Sequence, residues 1–264
     1  MSISTQAAVT AATSLAASLG LPGDDPAVLR DGSNVVVHLR PAPVVARVVT
    51  LTALARPGVE AWLTRDIGVA HHLAARGVPT TRPFTDAGPH HVDGAVVALW
   101  HHEPHDPSHL PAPAEVASLL AGLHTALRDV ELDLPRLGPC ADVTGALNTL
   151  ERSASLPSAA VEPLRAENAR LAGALAPFPC RPLHGDAHPG NLLATPSGLK
   201  WNDFEDTWLG PLGWDLACLA TSGRIDGAAV VAAYPGAVDA AELAVCVRLR
   251  TLLGVVWRYV QEVL

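Results

Sequence analysis

The chain has 264 residues, 49% of them apolar, and a formal net charge of −8 at pH 7. That length suits one large domain or two lobes sharing an interface, and the apolar fraction supplies a sizeable core. The acidic balance argues against a nucleic-acid-binding surface. The widely spaced Cys140, Cys180, Cys218 and Cys246 form no CxxC pair, which argues against a zinc site or a disulfide framework.

Residues 1–20 are rich in Ala and Ser but lack a basic leading segment, so they do not read as a signal peptide. Within them, residues 4–19 have helical apolar spacing. Pro22 and Gly23 mark a turn over 21–25. Val28–Arg30 and Val35–Leu39 are short strand-like runs joined by Asp31-Gly32-Ser33-Asn34, a hairpin-turn composition. Val44–Val49 predicts a third strand, an apolar run interrupted by Arg47. Glu60–Arg76 has helical periodicity through Trp62, Ile67, Ala70, Leu73 and Ala74, and Gly77-Val78-Pro79 stops it.

Ala95–Trp100 predicts a further strand running into His101-His102-Glu103-Pro104, a linker composition. Six histidines lie nearby: His90, His91, His101, His102, His105 and His109. With His71 and His72 upstream they lack the spacing of a metal site and read as solvated loop residues. A helix is expected from about Ala114 to Val130, with Val116, Leu119, Leu120, Leu123 and Leu127 on one face and His124 packed among them. Residues 147–152, 161–176, 214–221 and 240–263 also read as helical. Arg248, Arg250 and Arg258 break the apolar C-terminal run, so no membrane span and a cytoplasmic location are expected.

The chemistry concentrates in Leu183-His184-Gly185-Asp186-Ala187-His188-Pro189-Gly190-Asn191 and Trp201-Asn202-Asp203-Phe204-Glu205-Asp206. Phosphoryl transfer from a nucleotide needs a group that orients and deprotonates the attacking oxygen, and hard oxygen ligands for Mg²⁺ on the phosphates. A tight loop carrying Asp186 and Asn191, then a hairpin returning Asp203, supplies both. Asp186 is the expected base, and Asn191 and Asp203 are the expected Mg²⁺ ligands.

With Gly210-Pro211-Leu212-Gly213-Trp214-Asp215-Leu216-Ala217, these runs resemble the aminoglycoside phosphotransferase and choline kinase-like family in order and spacing. The resemblance implies an α+β, bilobal protein-kinase-like fold. A small antiparallel-sheet lobe with one main helix would span residues 1–99. A hinge would follow at 100–104, and a larger, mostly helical lobe at 105–264 would hold the catalytic loop and acceptor site. It implies Mg²⁺, ATP or GTP as phosphate donor, and a small-molecule hydroxyl acceptor: aminoglycoside-like, an amino alcohol or a sugar.

The resemblance also implies roles for further residues. Gly32, Ser33 and Asn34 would lie over the phosphates, and an adenine would bond to backbone from Ala98 to Trp100. Lys200 is the only lysine, so Arg47 stands where the family places a phosphate-binding lysine. Asp66 takes the place of the acid that pairs with it, with Glu60 as the alternative. His184, His188 and Asp215 would support the catalytic loop, and Glu205 and Asp206 would flank the metal-binding Asp203. Two other readings are a nucleotide-binding pseudokinase, because the strand lysine is missing, and a metal-dependent hydrolase built on the histidines. The complete Asp186/Asn191/Asp203 set argues against the first, and the histidine spacing against the second.

Overall fold

The computed structural model describes residues 3–56 and 58–263. Helix α1 (Thr5–Ser18) begins at Ser4, whose side chain accepts a hydrogen bond from the Ala7 N–H at 3.2 Å. A five-stranded sheet follows: β1 (Asp25–Asp31), β2 (Asn34–Arg40), β3 (Val44–Val49), β4 (His90–Val92) and β5 (Ala95–His101), in the order β1-β2-β3-β5-β4 with every pairing antiparallel.

The alternation of strand side chains decides what this sheet does. Val35, Val37, Ala46, Val48, Val97 and Leu99 are buried with Ala8, Ala12 and Leu15 of α1. The opposite face presents Val36, Val45, Arg47 and Trp100 to a cleft. Between Val28 and Arg30 the β1–β2 register shifts by a bulge, and Leu29 and Arg30 line the cleft there.

Helix α2 (Thr52–Ala55) is a single turn, and α3 (Val59–Ala75) carries Asp66 on its buried face. Gly77, at φ +72°, ends α3 where an L side chain would be strained. The Val78 N–H reaches the Leu73 carbonyl and the Gly77 N–H the Ala74 carbonyl, both at 3.1 Å, which satisfies the last turn.

The remainder is mostly helical: α4 (Pro113–Leu127), α5 (Gly138–Arg152), α6 (Ser158–Leu175), α7 (Gly213–Ala220), α8 (Gly227–Ala233) and α9 (Ala240–Val263). Between α6 and α7 lie β6 (Arg181–Pro182), the hairpin β7 (Leu192–Thr195) and β8 (Gly198–Trp201), and β9 (Leu209–Gly210), which pairs with β6. Two cores hold this half. One joins α3, α4 and the hairpin, and the other joins α5, α6, α7 and α9. Trp201, Phe204, Trp208 and Trp214 are fully buried around the hairpin. Burying one side chain of this kind stabilises by roughly 1.5–3 kcal/mol, so the hairpin is held from both sides.

The structure adds elements that periodicity misses. His90 and His91, expected in a loop, form strand β4 through backbone pairing with β5. Helix α5 starts at Gly138 rather than near 147, because Pro139 is tolerated in a first turn, where its missing N–H has no partner to lose. Helices α2 and α8 are too short to show a period. No helix among the described residues is long and apolar enough to cross a membrane.

Candidate active site

The catalytic loop is built around a buried carboxylate. Asp215, in the first turn of α7 and fully buried, accepts the His184 N–H at 2.8 Å and the Gly185 N–H at 2.9 Å. His124 of α4 holds the same carboxylate at 2.8 Å from Nε2 while its Nδ1 meets the Tyr234 hydroxyl at 2.9 Å. The Trp214 indole donates to the Gly185 carbonyl at 2.6 Å. Gly185 has φ +93°, and a Cβ there would stand 1.8 Å from the Asp206 carbonyl oxygen, so only glycine fits. His184 is buried beside Trp201 and Phe204, and burial lowers its pKa, keeping the ring neutral. Its Nδ1 accepts the Asp186 N–H at 3.3 Å.

Asp186 is thereby fixed in the cleft wall. The Asn191 side-chain amide donates to its carbonyl at 2.9 Å and to its Oδ2 at 3.3 Å. His188 accepts the Gly190 N–H on Nδ1 at 2.9 Å, so its Nε2 carries the proton, and that nitrogen stands 3.2 Å from Asp186 Oδ2. Arg250 of α9 stands 2.7 Å from Asp186 Oδ1. That contact is ionic without hydrogen-bond alignment: Oδ1 is buried and has no hydrogen-bond donor. Burial works to raise the Asp186 pKa, but Arg250 and His188 outweigh it and hold the carboxyl well below the usual range.

Asp203 lines the same cleft as Asp186 from just after the hairpin, in a left-handed conformation at φ +69°. Arg47 lies on the sheet face above it. One guanidinium nitrogen reaches Asp203 at 2.8 Å and Asp66 at 3.1 Å, and the other bonds to Glu205. The Asn34 amide, oriented to satisfy its neighbours, donates to the Ser33 carbonyl at 3.0 Å and to Thr52 Oγ1 at 3.1 Å, and accepts from Arg47 at 2.9 Å. Asp66 also accepts the Phe204 N–H at 2.8 Å. Glu60 instead faces His91 on the surface at 3.0 Å, so Asp66 and not Glu60 is the partner of Arg47.

A second arginine completes the cluster. Arg56 grips both Asp142 oxygens at 3.0 and 3.2 Å, reaches Glu205 at 3.4 Å and bonds to Asp206. Two guanidinium groups are thus shared among the carboxylates of Asp66, Asp142, Asp203, Glu205 and Asp206. Burial opposes the charge of both arginines, but the surrounding acids more than compensate and raise their pKa values. The acids are not so well served. Burial pushes Asp66 up to about 7 against the pull of Arg47, Asp142 up to about 6 against Arg56, and Glu205 well above its usual value. Burial is the largest cause on the acids, and their mutual repulsion adds to it, because negative groups outnumber positive ones in this cluster.

This surplus, and the donor types, fit a divalent cation. Asn191 spends its amide N–H on Asp186, and its Oδ1 accepts no hydrogen bond among the described residues. Asp203 has a second carboxylate oxygen beyond Arg47 and lines the cleft. An amide oxygen and a carboxylate oxygen suit Mg²⁺, which keeps its other positions for phosphate and water.

The cleft has a volume of about 930 Å³. It brings together Ser33, Asn34, Arg47, Asp66, Trp100, Asp186, His188, Asp203 and Glu205. Gly32 and Ala98 lie outside its lining, and Ala98 is fully buried opposite Arg47. Strand β5 is engaged on both edges through Trp100: β3 pairs with one, and Ala87, Phe84 and Pro83 occupy the other. The hinge residues that line the cleft are Trp100, the last of the expected Ala98–Trp100 segment, with His101, His102 and Glu103. Lys200 ties Glu103 to β8 at 2.8 Å. Arg56, Asp142, Arg224 and the catalytic-loop contact of Arg250 were not read from sequence. Only Arg250 left a trace, as a charge inside an apolar helical run.

A five-stranded sheet and a mostly helical half thus meet at this cleft, and Asp186 and Asp203 line it. Residues 23–246 match the phosphotransferase enzyme family, and the chain belongs to that family. Comparison with curated protein sequences yields no match. Among solved structures, the chain is similar to a type VIII aminoglycoside-3'-phosphotransferase at 20% identity and a TM-score of 0.64, covering 94% of this chain and 99% of that one. It is similar to the choline kinase LicA from Streptococcus pneumoniae at 15% identity and a TM-score of 0.67, with 95% and 89% covered. It is also similar to the amicoumacin kinase hAmiN, solved with AMP-PNP, Ca²⁺ and Ami, at 11% identity and a TM-score of 0.66, with 89% and 80% covered.

Proposed function

We propose that the protein transfers the γ-phosphoryl group of ATP or GTP to a hydroxyl of a small molecule in this cleft. The observation that carries the reading is the Oδ1 atom of Asp186. It is buried and without a hydrogen-bond donor, while Arg250 and His188 hold its carboxyl well below the usual range, and it shares the cleft with Asp203 and Arg47. Residues 1–99 would form the nucleotide lobe, 100–104 the hinge, and 105–264 the catalytic and acceptor lobe. The family, and the nucleotide analogue and divalent cation in the amicoumacin kinase structure, support this assignment.

Asn191 and Asp203 would hold Mg²⁺, which when bound neutralises phosphate charge. Arg47 would orient the phosphates from above, as the cation at the position where a lysine is usual; its planar guanidinium takes oxyanions in pairs. Ser33 would face the phosphates at the hairpin turn. Asp186 would accept the hydroxyl proton as the acceptor oxygen bonds to the γ-phosphorus and the β–γ bridging oxygen leaves with the nucleoside diphosphate. Positioning and charge neutralisation supply most of the acceleration in such a reaction. His184, His188 and Asp215 keep the Asp186 carboxylate in place.

The test is nucleotide consumption with Mg·ATP and Mg·GTP over a panel of hydroxyl compounds, wild type beside Asp186→Asn. Acceptor-dependent turnover that is lost in the variant, with nucleotide binding retained, supports the reading. Nucleotide binding with no turnover for any acceptor would favour a pseudokinase of the same fold.

A further inference from the structure

The cleft is divided by charge. Toward the sheet, each arginine is shared among several acids. Beyond Asp186 the balance reverses. There the wall is the segment after α7 and one face of α9, and its charged groups are Arg224, Arg250 and Arg258. Arg250 makes its one ion pair with Asp186, and Arg224 and Arg258 make none among the described residues. Arg224 reaches back to the catalytic loop: a Cβ on Gly190 would stand 3.1 Å from its guanidinium. Three arginines on one wall are notable in a chain of net charge −8.

The wall is also roomy. Arg250, Gly254, Trp257 and Gln261 follow helical spacing along α9 and all line the cleft. A Cβ on Gly254 would meet nothing within 4 Å. A cationic acceptor placed here would find Asp186 and little else of opposite sign, because Asp142 and Asp206 are already held by Arg56. It would also meet unpaired guanidinium groups, and like charges in a partly desolvated site repel strongly.

We propose that the acceptor is an anion: a hydroxyl compound carrying a carboxylate or phosphate ester, recognised by Arg224 and Arg250. Both oxyanions match the planar guanidinium fork. The contact between Arg250 and Asp186 gives this recognition a second consequence. An acceptor anion draws the Arg250 guanidinium toward itself and uncovers Asp186 Oδ1, the atom that lacks a donor, to the acceptor hydroxyl. Arg250 is then a positioning residue that couples acceptor charge to access of the base. The inference rests on the kinase reading of the same cleft.

The experiment is calorimetric titration of nucleotide-free protein. Gluconate, glycerate and glucose 6-phosphate serve as anionic probes, and choline, glucosamine and kanamycin as cationic ones. At least one anion should bind, and which of them do separates carboxylate from phosphate recognition. Exposed Arg224 can be replaced without disturbing a core. Arg224→Ala should weaken anion binding by about tenfold or more, the loss expected of one charge-assisted contact, and Arg224→Lys should restore part of it. In turnover, Arg224→Ala should raise KM for the anionic acceptor and leave KM for nucleotide unchanged. Absence of anion binding overturns the proposal, whether or not a cation binds, and so does anion binding indifferent to Arg224→Ala. Mg·ATP and Mg·GTP binding are measured on the same preparation. Failure there defeats the kinase reading and leaves the anion result to be judged separately.

Discussion

The guanidinium of Arg47 lies 2.8 Å from Asp203, the hairpin carboxylate, while the same nitrogen stands 3.1 Å from Asp66 of α3. One cation from the sheet thus connects the main helix of the sheet lobe to the expected metal ligand of the helical lobe. Its side chain is only 11% exposed, so the connection is made largely out of solvent, where an unpaired charge is costly.

Arg47→Met should therefore destabilise the protein by about 3–5 kcal/mol, the usual cost of removing one partner from a buried pair. Denaturant melts of both proteins measure this, and added Mg²⁺ should recover part of the loss. Arg47→Lys should keep the charge but not the span to Asp66, Asp203 and Glu205 together. Its nucleotide KM should rise, and unchanged kinetics would show that a point charge suffices.

Asp186→Asn should lower kcat by about 10²–10⁴-fold, the range for a positioned general base. The melting temperature and nucleotide affinity should change little. Full activity in the variant would remove Asp186 from the mechanism.

Divalent-cation affinity should depend on pH. The Asp66 and Asp142 carboxyls sit at about 7 and about 6, above a usual value of 3.8. Below those values the folded site holds protons that the unfolded chain has lost, so metal-free stability should fall as pH rises through this window. Over the same window the site gains negative charge, so Mg²⁺ should bind more tightly above pH 7 than below pH 6. Mg²⁺ titrations in the presence of nucleotide at the two pH values check the sign, and a flat profile contradicts it.

Asp215→Asn preserves shape but turns an amide N–H toward one of the two backbone donors of His184 and Gly185. Leaving one buried donor unpaired costs about 1–3 kcal/mol. Because Asp215 acts through the loop, kcat should fall with little change in either KM. A KM effect alone would mean that Asp215 shapes a binding surface instead.

The strands β2, β3 and β5 and helices α3, α4 and α9 were legible because each is long enough for its apolar period to show. The short α2 and α8 were not, and β4 is held by backbone pairing that its histidines do not signal. In the site, the family resemblance implied the partnership of Arg47 with Asp66, with Glu60 as the alternative. The sharing of Arg47 with Asp203 and Glu205 could not, since those residues are 156 and 158 positions away.

The sequence by itself determined the chemistry offered: Asp186, Asn191 and Asp203 at fixed separations in loops whose glycines and prolines dictate local geometry. Local spacing can do this because a tight turn places its residues within a few bonds of each other. The tertiary structure alone decided the electrostatic company of those groups. It brought Arg56 to Asp142 and Asp206, His124 to Asp215, and Arg250 to Asp186 across long stretches of chain. Charge acts through space and not along the backbone, so which acids are neutralised and which arginines stand free emerges only once the lobes and α9 have packed.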